Sequence, residues 1–528
     1  MGENKKIDSL IIRWPDGHRE RKAITDTNQT ITISKGDYNS ENEFDKKAKK
    51  PNKFQVSYLP VKHEETEYYD YQKERLIPER LSFEGPAVVK ADFNNDGFED
   101  FFVGGAKFQR GKVFLSTKNK GFDEVKNFDL QNDNKFEDTD AAAFDIDNDG
   151  DLDLYVVSGG NEYKELDKNY MDRVYLNDGL GNFTRLKIFL PRTNGSSVSV
   201  SDFNNDGYDD LFVGSRSITG FYGLSPYSFF LLNNKDNKLL PVEQQRYGMV
   251  TDSKWVDINS DGKKDIVLVG DWMPITVLIQ EDDFKFINKT LEYGLSGTNG
   301  LWNVVEVKDF NEDGKIDIIA GNAGTNFKWK PSIKKPVKLY LDDFDGNQQP
   351  DPIIFYDFFG KYVPFSSKDK LDKQLPYLKK KFPNYNNFSK INDIKSLTGK
   401  GEKDILEIKY IYDLESSIFI FEEGSFKKYP LPPSAQLSCI EDFKFFKNSN
   451  DLIYVGNFSK YVTELGFSSA NPGGLLLNLD TKKMNYKNTK SLPLPINKDY
   501  RAVLDFDDNQ LIFSNNDYIY SLKANSLK

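Results

Sequence analysis

Short segments of extended character, often alternating apolar and polar as in Ser197-Val-Ser-Val-Ser201, recur along the chain. Ala87-Val-Val-Lys-Ala91 is another such segment. Each runs into an acidic, glycine-containing stretch and then into a compact apolar run such as Phe101-Phe-Val103 or Ile266-Val-Leu-Val269. This pattern predicts two strands joined by a polar loop. Further on, Leu371, Leu375, Leu378 and Phe382 stand at helical spacing, and Pro376 is expected to kink or divide that helix. Strand pairing is expected to resume at Ser416-Ser-Ile-Phe-Ile-Phe421. No window approaches 18 consecutive apolar residues, and Met1-Gly-Glu-Asn-Lys-Lys6 lacks the apolar core of a secretory signal.

The polar loops repeat one pattern, D-x-[DN]-x-D-G-x-x-D, five times, beginning at Asp92, Asp145, Asp202, Asp257 and Asp309. The spacings are 53, 57, 55 and 52 residues, close to the length of a four-stranded propeller blade with a generous loop. Positions 1, 3, 5 and 9 offer side-chain oxygens, and position 7 is expected to offer a backbone carbonyl. In the first copy these are Asp92, Asn94, Asp96, Phe98 and Asp100; in the second, Asp145, Asp147, Asp149, Asp151 and Asp153. The third has Asp202, Asn204, Asp206, Tyr208 and Asp210; the fourth, Asp257, Asn259, Asp261, Lys263 and Asp265; the fifth, Asp309, Asn311, Asp313, Lys315 and Asp317. Such a set suits a hard cation that takes 6–8 oxygens at about 2.3–2.6 Å, which points to calcium, and the glycine at position 6 supplies a sharp turn. Magnesium fits less well because it demands a stricter octahedron. An EF-hand is excluded: position 12 is Val103, Val156, Val213, Leu268 or Ala320, where that loop needs a glutamate. A single copy would pass for an ordinary Asp/Asn/Gly turn. Five periodic copies favour metal loops. A weaker sixth candidate, with Asp343, Asp345, Asn347 and Asp351, has Gln348 at the glycine position and begins only 34 residues after Asp309.

These loops and their flanking strands resemble FG-GAP/VCBS repeats, the calcium-bearing blades of integrin-α-type seven-bladed propellers. Ile11-Ile-Arg-Trp-Pro-Asp-Gly17 with Asn28-Gln-Thr-Ile-Thr-Ile33 is similar to the hairpin and closing strand of an ASPIC/UnbV module. Further matches to the bacterial family that joins the two, related in organisation to cartilage acidic protein, are His63-Glu-Glu65, Arg75-Leu-Ile-Pro78, Gly270-Asp-Trp-Met-Pro274, Leu301-Trp-Asn303 and Gly321-Asn-Ala-Gly-Thr-Asn326. The resemblance implies an all-β chain. Residues 1–36 would be an ASPIC/UnbV-like β module, 37–80 a linker leading into the propeller, and 81–528 a seven-bladed β-propeller with a partly helical insertion at about 328–412. Cys439–Phe445 with Leu452–Val455 would belong to a blade without calcium ligands. Ala502–Asp505, Leu511–Phe513 and Tyr518–Tyr520 would form the last blade, closed by Phe54–Tyr58. In that family the module normally follows a propeller, so its position here implies the carboxy-terminal half of a longer exported protein.

Composition narrows the chemistry. A net charge of −11 disfavours nucleic acid, since phosphate binding needs a basic surface. One cysteine, Cys439, excludes an intramolecular disulfide and a multi-thiolate metal site, and it reads as a small buried hydrophobe. Two histidines, His18 and His63, leave little material for histidine catalysis. No nucleophile elbow, P-loop or HExxH pattern is present. The expected function is a non-enzymatic, calcium-stabilised recognition or assembly module at the bacterial cell surface, on the outer leaflet of the outer membrane. The resemblance implies a lipoprotein setting and a SusC/SusD-like, TonB-dependent transporter as partner. The alternative is a glycan-binding adhesin or a polysaccharide-active enzyme working through carboxylates and tyrosines in a propeller funnel. Trp272, Trp302 and Trp329 could then be sugar platforms, although packing between blades is the competing reading. Lys379-Lys-Lys381 reads as a solvated helix face rather than a docking patch.

Overall fold

The computed structural model describes residues 9–13, 18–22, 30–34, 40–42, 54–118, 121–282, 284–447, 449–506 and 509–524. Two compact units are present, Met1–Gln55 with Lys523–Lys528, and Val56–Leu522. In the first, strands Leu10–Arg13, His18–Lys22 and Ser40–Asn42 make an antiparallel sheet. Trp14, Pro15, Asp16 and Gly17 lie outside the described residues, as do Asn28 and Gln29. Residues 30–34 carry no strand, so the third strand of this sheet is Ser40–Asn42 rather than the expected segment ending at Ile33.

The second unit is mainly β, with short helices Asp70–Lys73 and Phe128–Asn132 outside its insertion, and is built of four-stranded antiparallel sheets, consistent with a β-propeller. The first strands of successive sheets are Val88–Ala91, Asp138–Phe144, Asn194–Ser201, Met249–Val256, Gly300–Lys308, Ile440–Phe445 and Tyr500–Phe506. Each lies against the first strand of the next sheet, and Tyr500–Phe506 returns to Val88–Ala91. The Met249 and Gly300 sheets are also joined through Asp271↔Leu301 and Met273↔Gly300. Strand Phe54–Lys62, which includes Phe54–Tyr58, completes the last sheet beside Tyr518–Ala524. Pairing it there covers an edge that would otherwise expose unpaired backbone groups.

Burial follows strand position. Second strands, such as Asp210–Ser217 and Asp265–Met273, are buried throughout because sheets pack on both of their faces. First strands are only partly buried, since one side faces a central cavity. Between sheets the core is aromatic and branched: Phe144, Tyr155 and Val157 meet Leu211, Val213 and Phe229 in one cluster.

The insertion emerges between Asp317–Asn322 and Ser417–Glu422 of the fifth sheet. It has its own sheet, Val337–Asp342, Asp351–Phe358, Lys361–Pro364 and Glu407–Ile411. Pro376 falls between helices Lys368–Gln374 and Leu378–Lys381, dividing the predicted helix. Leu371, Leu375, Leu378 and Phe382 share one buried cluster, whereas Lys379, Lys380 and Lys381 are exposed.

Asp172 shows how burial sets pH dependence. Its carboxylate accepts the Tyr155 hydroxyl at 2.7 Å and the Ser158 N–H at 2.8 Å. Burial pushes it up to about 7. The folded chain therefore keeps a proton that an unfolded aspartate releases near pH 4. That favours folding at low pH, and the contribution is lost as pH rises through 7. Asp172→Asn can keep both hydrogen bonds, with the amide N–H donating to the Tyr155 oxygen. It is expected to flatten the fall in stability between pH 5 and pH 8, measured by urea unfolding at both values.

Candidate metal centres

Each acidic loop joins the first and second strands of a sheet, and its backbone is wound by its own side chains. The position-1 aspartate accepts the N–H of the position-6 glycine at 2.8–3.0 Å in all five copies. Its other oxygen accepts the N–H of position 5. The position-5 aspartate accepts the N–H of position 7, from Phe98, Asp151, Tyr208, Lys263 and Lys315. This winding needs two left-handed residues. Position 6 has φ between 84° and 95°. Position 4, which the sequence pattern left unspecified, has φ between 55° and 61° at Asn95, Asn148, Asn205, Ser260 and Glu312. Asparagine tolerates that region best among non-glycine residues, and three of the five copies use it.

Position 9 begins the second strand and is buried. Asp100, Asp153, Asp210, Asp265 and Asp317 each accept the N–H of position 2 in their own loop with one oxygen. With the other they accept an N–H of the third strand or its flank, from Ser116, Asn177, Asn233, Gln280 and Phe421. Burial pushes these carboxyls up, to about 6 for Asp100, Asp265 and Asp317 and to about 7 for Asp153 and Asp210. A divalent cation in the loop would act the other way and hold them ionised.

The donor set fits such an ion. Carboxylate oxygens of Asp145, Asp147 and Asp149 lie within 4.8 Å of one another, and Oδ1 of Asp147 is buried with no hydrogen-bond partner. Asp153 is not part of that triad. In three of the four copies with asparagine at position 3, the Asn94, Asn259 and Asn311 amides bond to the position-5 carboxylates at 3.0–3.2 Å. The sixth loop is wound like the others. Gln348 N–H donates to Asp343 at 2.9 Å, Phe344 N–H donates to Asp351 at 3.1 Å, and Asp343, Asp345 and Asp351 form a second triad within 4.8 Å. Gln348 sits at φ 68°.

Sequence reasoning missed the amides that lock these loops to the following sheet. Asn177 Nδ2 donates to the Phe93 carbonyl, Asn233 Nδ2 to that of Ile146 and Gln280 Nε2 to that of Phe203, all at 2.8 Å. Asn450 serves Phe310 at 3.0 Å. Their offsets from the motif vary, so no fixed spacing marks them.

The other candidates are structural. Trp272, Trp302 and Trp329 are buried; the first donates to Tyr222 Oη at 2.9 Å and the second to the Thr298 carbonyl at 2.8 Å. None presents a face to a sugar. His63 is buried and meets Glu65 at 3.1 Å, and Cys439 is buried, which raises its thiol well above the ordinary range. The central cavity, about 300 Å³, is lined by charged residues including Asp140, Asp252, Lys254, Asp442 and Lys444, and by no aromatic residue. Its aspartates are engaged: Asp140, Asp252 and Asp442 accept the N–H groups of Val198, Val305 and Val503 on the next sheet at 2.8–2.9 Å.

A family model described as FG-GAP-like repeat matches residues 92–156, 145–213 and 257–320, and one described as ASPIC and UnbV matches residues 1–40. No curated protein matches the chain. Among solved structures, BBS1N in complex with ARL6DN aligns over 85% of this chain and 95% of its own, at 9% identity and a TM-score of 0.40. Virginiamycin B lyase from Staphylococcus aureus aligns over 89% of this chain and 99% of its own, at 8% identity and a TM-score of 0.37. Scores this low carry no statement about the chain. Residues 92–213 and 257–320 thus carry FG-GAP-like repeats, and residues 1–40 an ASPIC/UnbV module.

Gln348→Gly tests the sixth loop. Relieving a left-handed non-glycine residue is expected to stabilise the fold by about 1 kcal/mol, read as a higher urea midpoint with and without calcium. An unchanged or lower midpoint would show that Gln348 is not strained there.

Proposed function

We propose that this FG-GAP, ASPIC/UnbV-bearing chain is a non-enzymatic recognition and assembly module of the cell surface, a seven-bladed propeller held in shape by calcium. The loop geometry carries this reading: the repeats wind their acids alike, the Asp145 and Asp343 loops bring three carboxylates within 4.8 Å of one another, and the buried position-9 carboxylates are ones a cation would neutralise. Calcium would be held by the side chains at positions 1, 3, 5 and 9 and by the position-7 carbonyls. It supplies charge compensation and rigidity, and no chemistry. Repeats of this kind suggest an extracellular or surface protein. Among the described residues no helix is long and apolar enough to cross a membrane. The engaged aspartates and aromatic-free lining of the central cavity favour this reading over a polysaccharide-cleaving funnel. For the partner we adopt a SusC/SusD-like, TonB-dependent uptake complex on the outer membrane, with this chain as an accessory subunit; support for it comes from the family resemblance alone.

Two measurements check this. Calcium at tenfold excess over its dissociation constant is expected to stabilise the fold by about 1.4 kcal/mol per occupied site, seen as a rise in thermal midpoint that a chelator reverses. Affinity purification of the native full-length protein from gently solubilised envelopes, with calcium and with chelator, should recover a transporter pair only with calcium. Recovery of the protein alone under both conditions would remove the uptake-complex role and turn attention to glycan binding.

A further inference from the structure

Strands Val337–Asp342 and Asp351–Phe358 of the insertion are joined at one end by the Asp343 loop. Two tight turns stand at their other end. One links Asp351–Phe358 to Lys361–Pro364 through Phe359 and Gly360 alone, since Phe358 pairs with Lys361. The other, residues 332–335, leads into Val337 and is closed by reciprocal backbone hydrogen bonds between Ser332 and Lys335 at 3.0 and 3.2 Å. The Lys335 ammonium meets Asp357 at 3.2 Å, and the Tyr362 hydroxyl donates to the Pro336 carbonyl at 3.0 Å. The two turns are therefore bonded side by side.

Apolar residues occupy both turns where polar ones would cost less. Phe359 is 93% exposed, more than any other large apolar side chain among the described residues. Its neighbour Phe358 is 49% exposed, with the two ring centroids 4.8 Å apart, and Ile333 in the second turn is 67% exposed. Phe359 also carries a backbone cost, because φ is 50° there and 86° at Gly360. A two-residue hairpin turn with φ > 0 at both positions favours Asn-Gly, and a bulky side chain at the first of them is an outlier. Strain and exposure thus fall on one residue, whose ring gains almost no packing in return.

The surroundings are basic. Residues 330–336 and 357–361 hold four lysines, Lys330, Lys334, Lys335 and Lys361, and one acid, Asp357, in a chain whose net charge is −11. Lys335 takes that acid. Lys330, Lys334 and Lys361 are exposed and form no ion pair among the described residues; the Lys330 ammonium donates to the Thr325 carbonyl.

We propose that these two turns insert into an anionic lipid surface, with Phe358, Phe359 and Ile333 at the boundary between headgroups and acyl chains and the lysines among the phosphates. Apolar residues that enter the interface beneath a basic collar, with lysine stems reaching back to the headgroups, are how peripheral anchors hold a bilayer. A pocket on a protein partner fits less well. The cations here are all lysine, which protein interfaces deplete, whereas arginine is the cation they enrich. Lysine near a negatively charged leaflet is attracted without any fixed bonding geometry. Contact through so few side chains is reversible, so it would orient the unit on the membrane rather than retain it there. The inference rests on the two turns and not on the uptake-complex reading.

The test is co-sedimentation of the full chain, in calcium, with vesicles of phosphatidylcholine alone and with vesicles of equal parts phosphatidylcholine and phosphatidylglycerol. The parent is expected to bind the mixed vesicles at least about fivefold more tightly, the effect of one lysine at an anionic surface. Phe359→Asn places the favoured residue in the turn, so its urea midpoint should equal or exceed the parent's, while its vesicle binding falls by about tenfold or more. Lys334→Gln combined with Lys361→Gln should weaken binding to the mixed vesicles and leave binding to phosphatidylcholine unchanged. Equal vesicle binding by the parent and Phe359→Asn would overturn the inference, and is the result expected if calcium merely bridges the acidic loops to the lipid. No vesicle binding by the parent would also overturn it. If Phe359→Asn then lost a protein from the envelope purification, the turns would belong to a pocket on that partner instead. Either failure leaves the calcium and uptake-complex readings standing.

Discussion

A buried aspartate that accepts two backbone N–H groups is the interaction on which the propeller-like unit rests. Asp100, Asp153, Asp210, Asp265 and Asp317 each start a second strand, and each ties its own loop to the third strand. Without that carboxylate two backbone donors at a sheet end would be buried and unpaired, at a cost of about 1–3 kcal/mol each. The same burial makes the charged form expensive, as the raised carboxyls of Asp153 and Asp210 show. The loop that follows position 1 answers this cost: it gathers oxygens where a cation can offset the buried charge, so that one residue serves both the sheet and the metal cradle.

The position-2 residue extends this arrangement to the neighbouring sheet. Its side chain, Phe93, Ile146, Phe203 or Phe310, is an apolar plug beneath the loop, its N–H goes to position 9, and its carbonyl receives an amide from the following sheet. At the central cavity a second set of contacts does the same work. Thr139, Ser196, Thr251 and Asn303 each reach a carbonyl of the next first strand, and Asp140, Asp252 and Asp442 each take one of its N–H groups. Neighbouring sheets are thus bonded at both the loop end and the cavity wall, with apolar clusters between.

What the sequence made legible is what is local. All candidate ligands of a loop fall within nine residues, so five copies stood out by pattern and period, and the Pro376 break in the insertion needed only its neighbours. The sixth loop looked weaker because glutamine replaces glycine, yet Gln348 takes the same left-handed turn. Contacts that join distant segments left no such mark. The amides of Asn177, Asn233 and Gln280 sit at unequal distances from the motif. The tryptophans were ambiguous for the same reason: Trp272 and Trp329 are buried together with Ile77, Leu81 and Leu339, which come from two stretches of chain distant from Trp272.

The two ends of the strands therefore carry different burdens. The acidic-loop end is built from short, nearly identical turns, each satisfied by its own side chains, and repetition of that kind leaves little room for individual recognition. The opposite end carries what is particular to this chain: the segment from His63 to Glu84, the long connections after second strands, and the insertion emerging after Asn322. Leu76 of that segment packs into the insertion core, Ile77 and Leu81 pack with Trp272 and Trp329, and Arg216 is held by Glu79, Glu84 and Asp271 at 2.8–3.3 Å. Removing any one of these partners would leave a buried charge uncompensated, which is strongly destabilising.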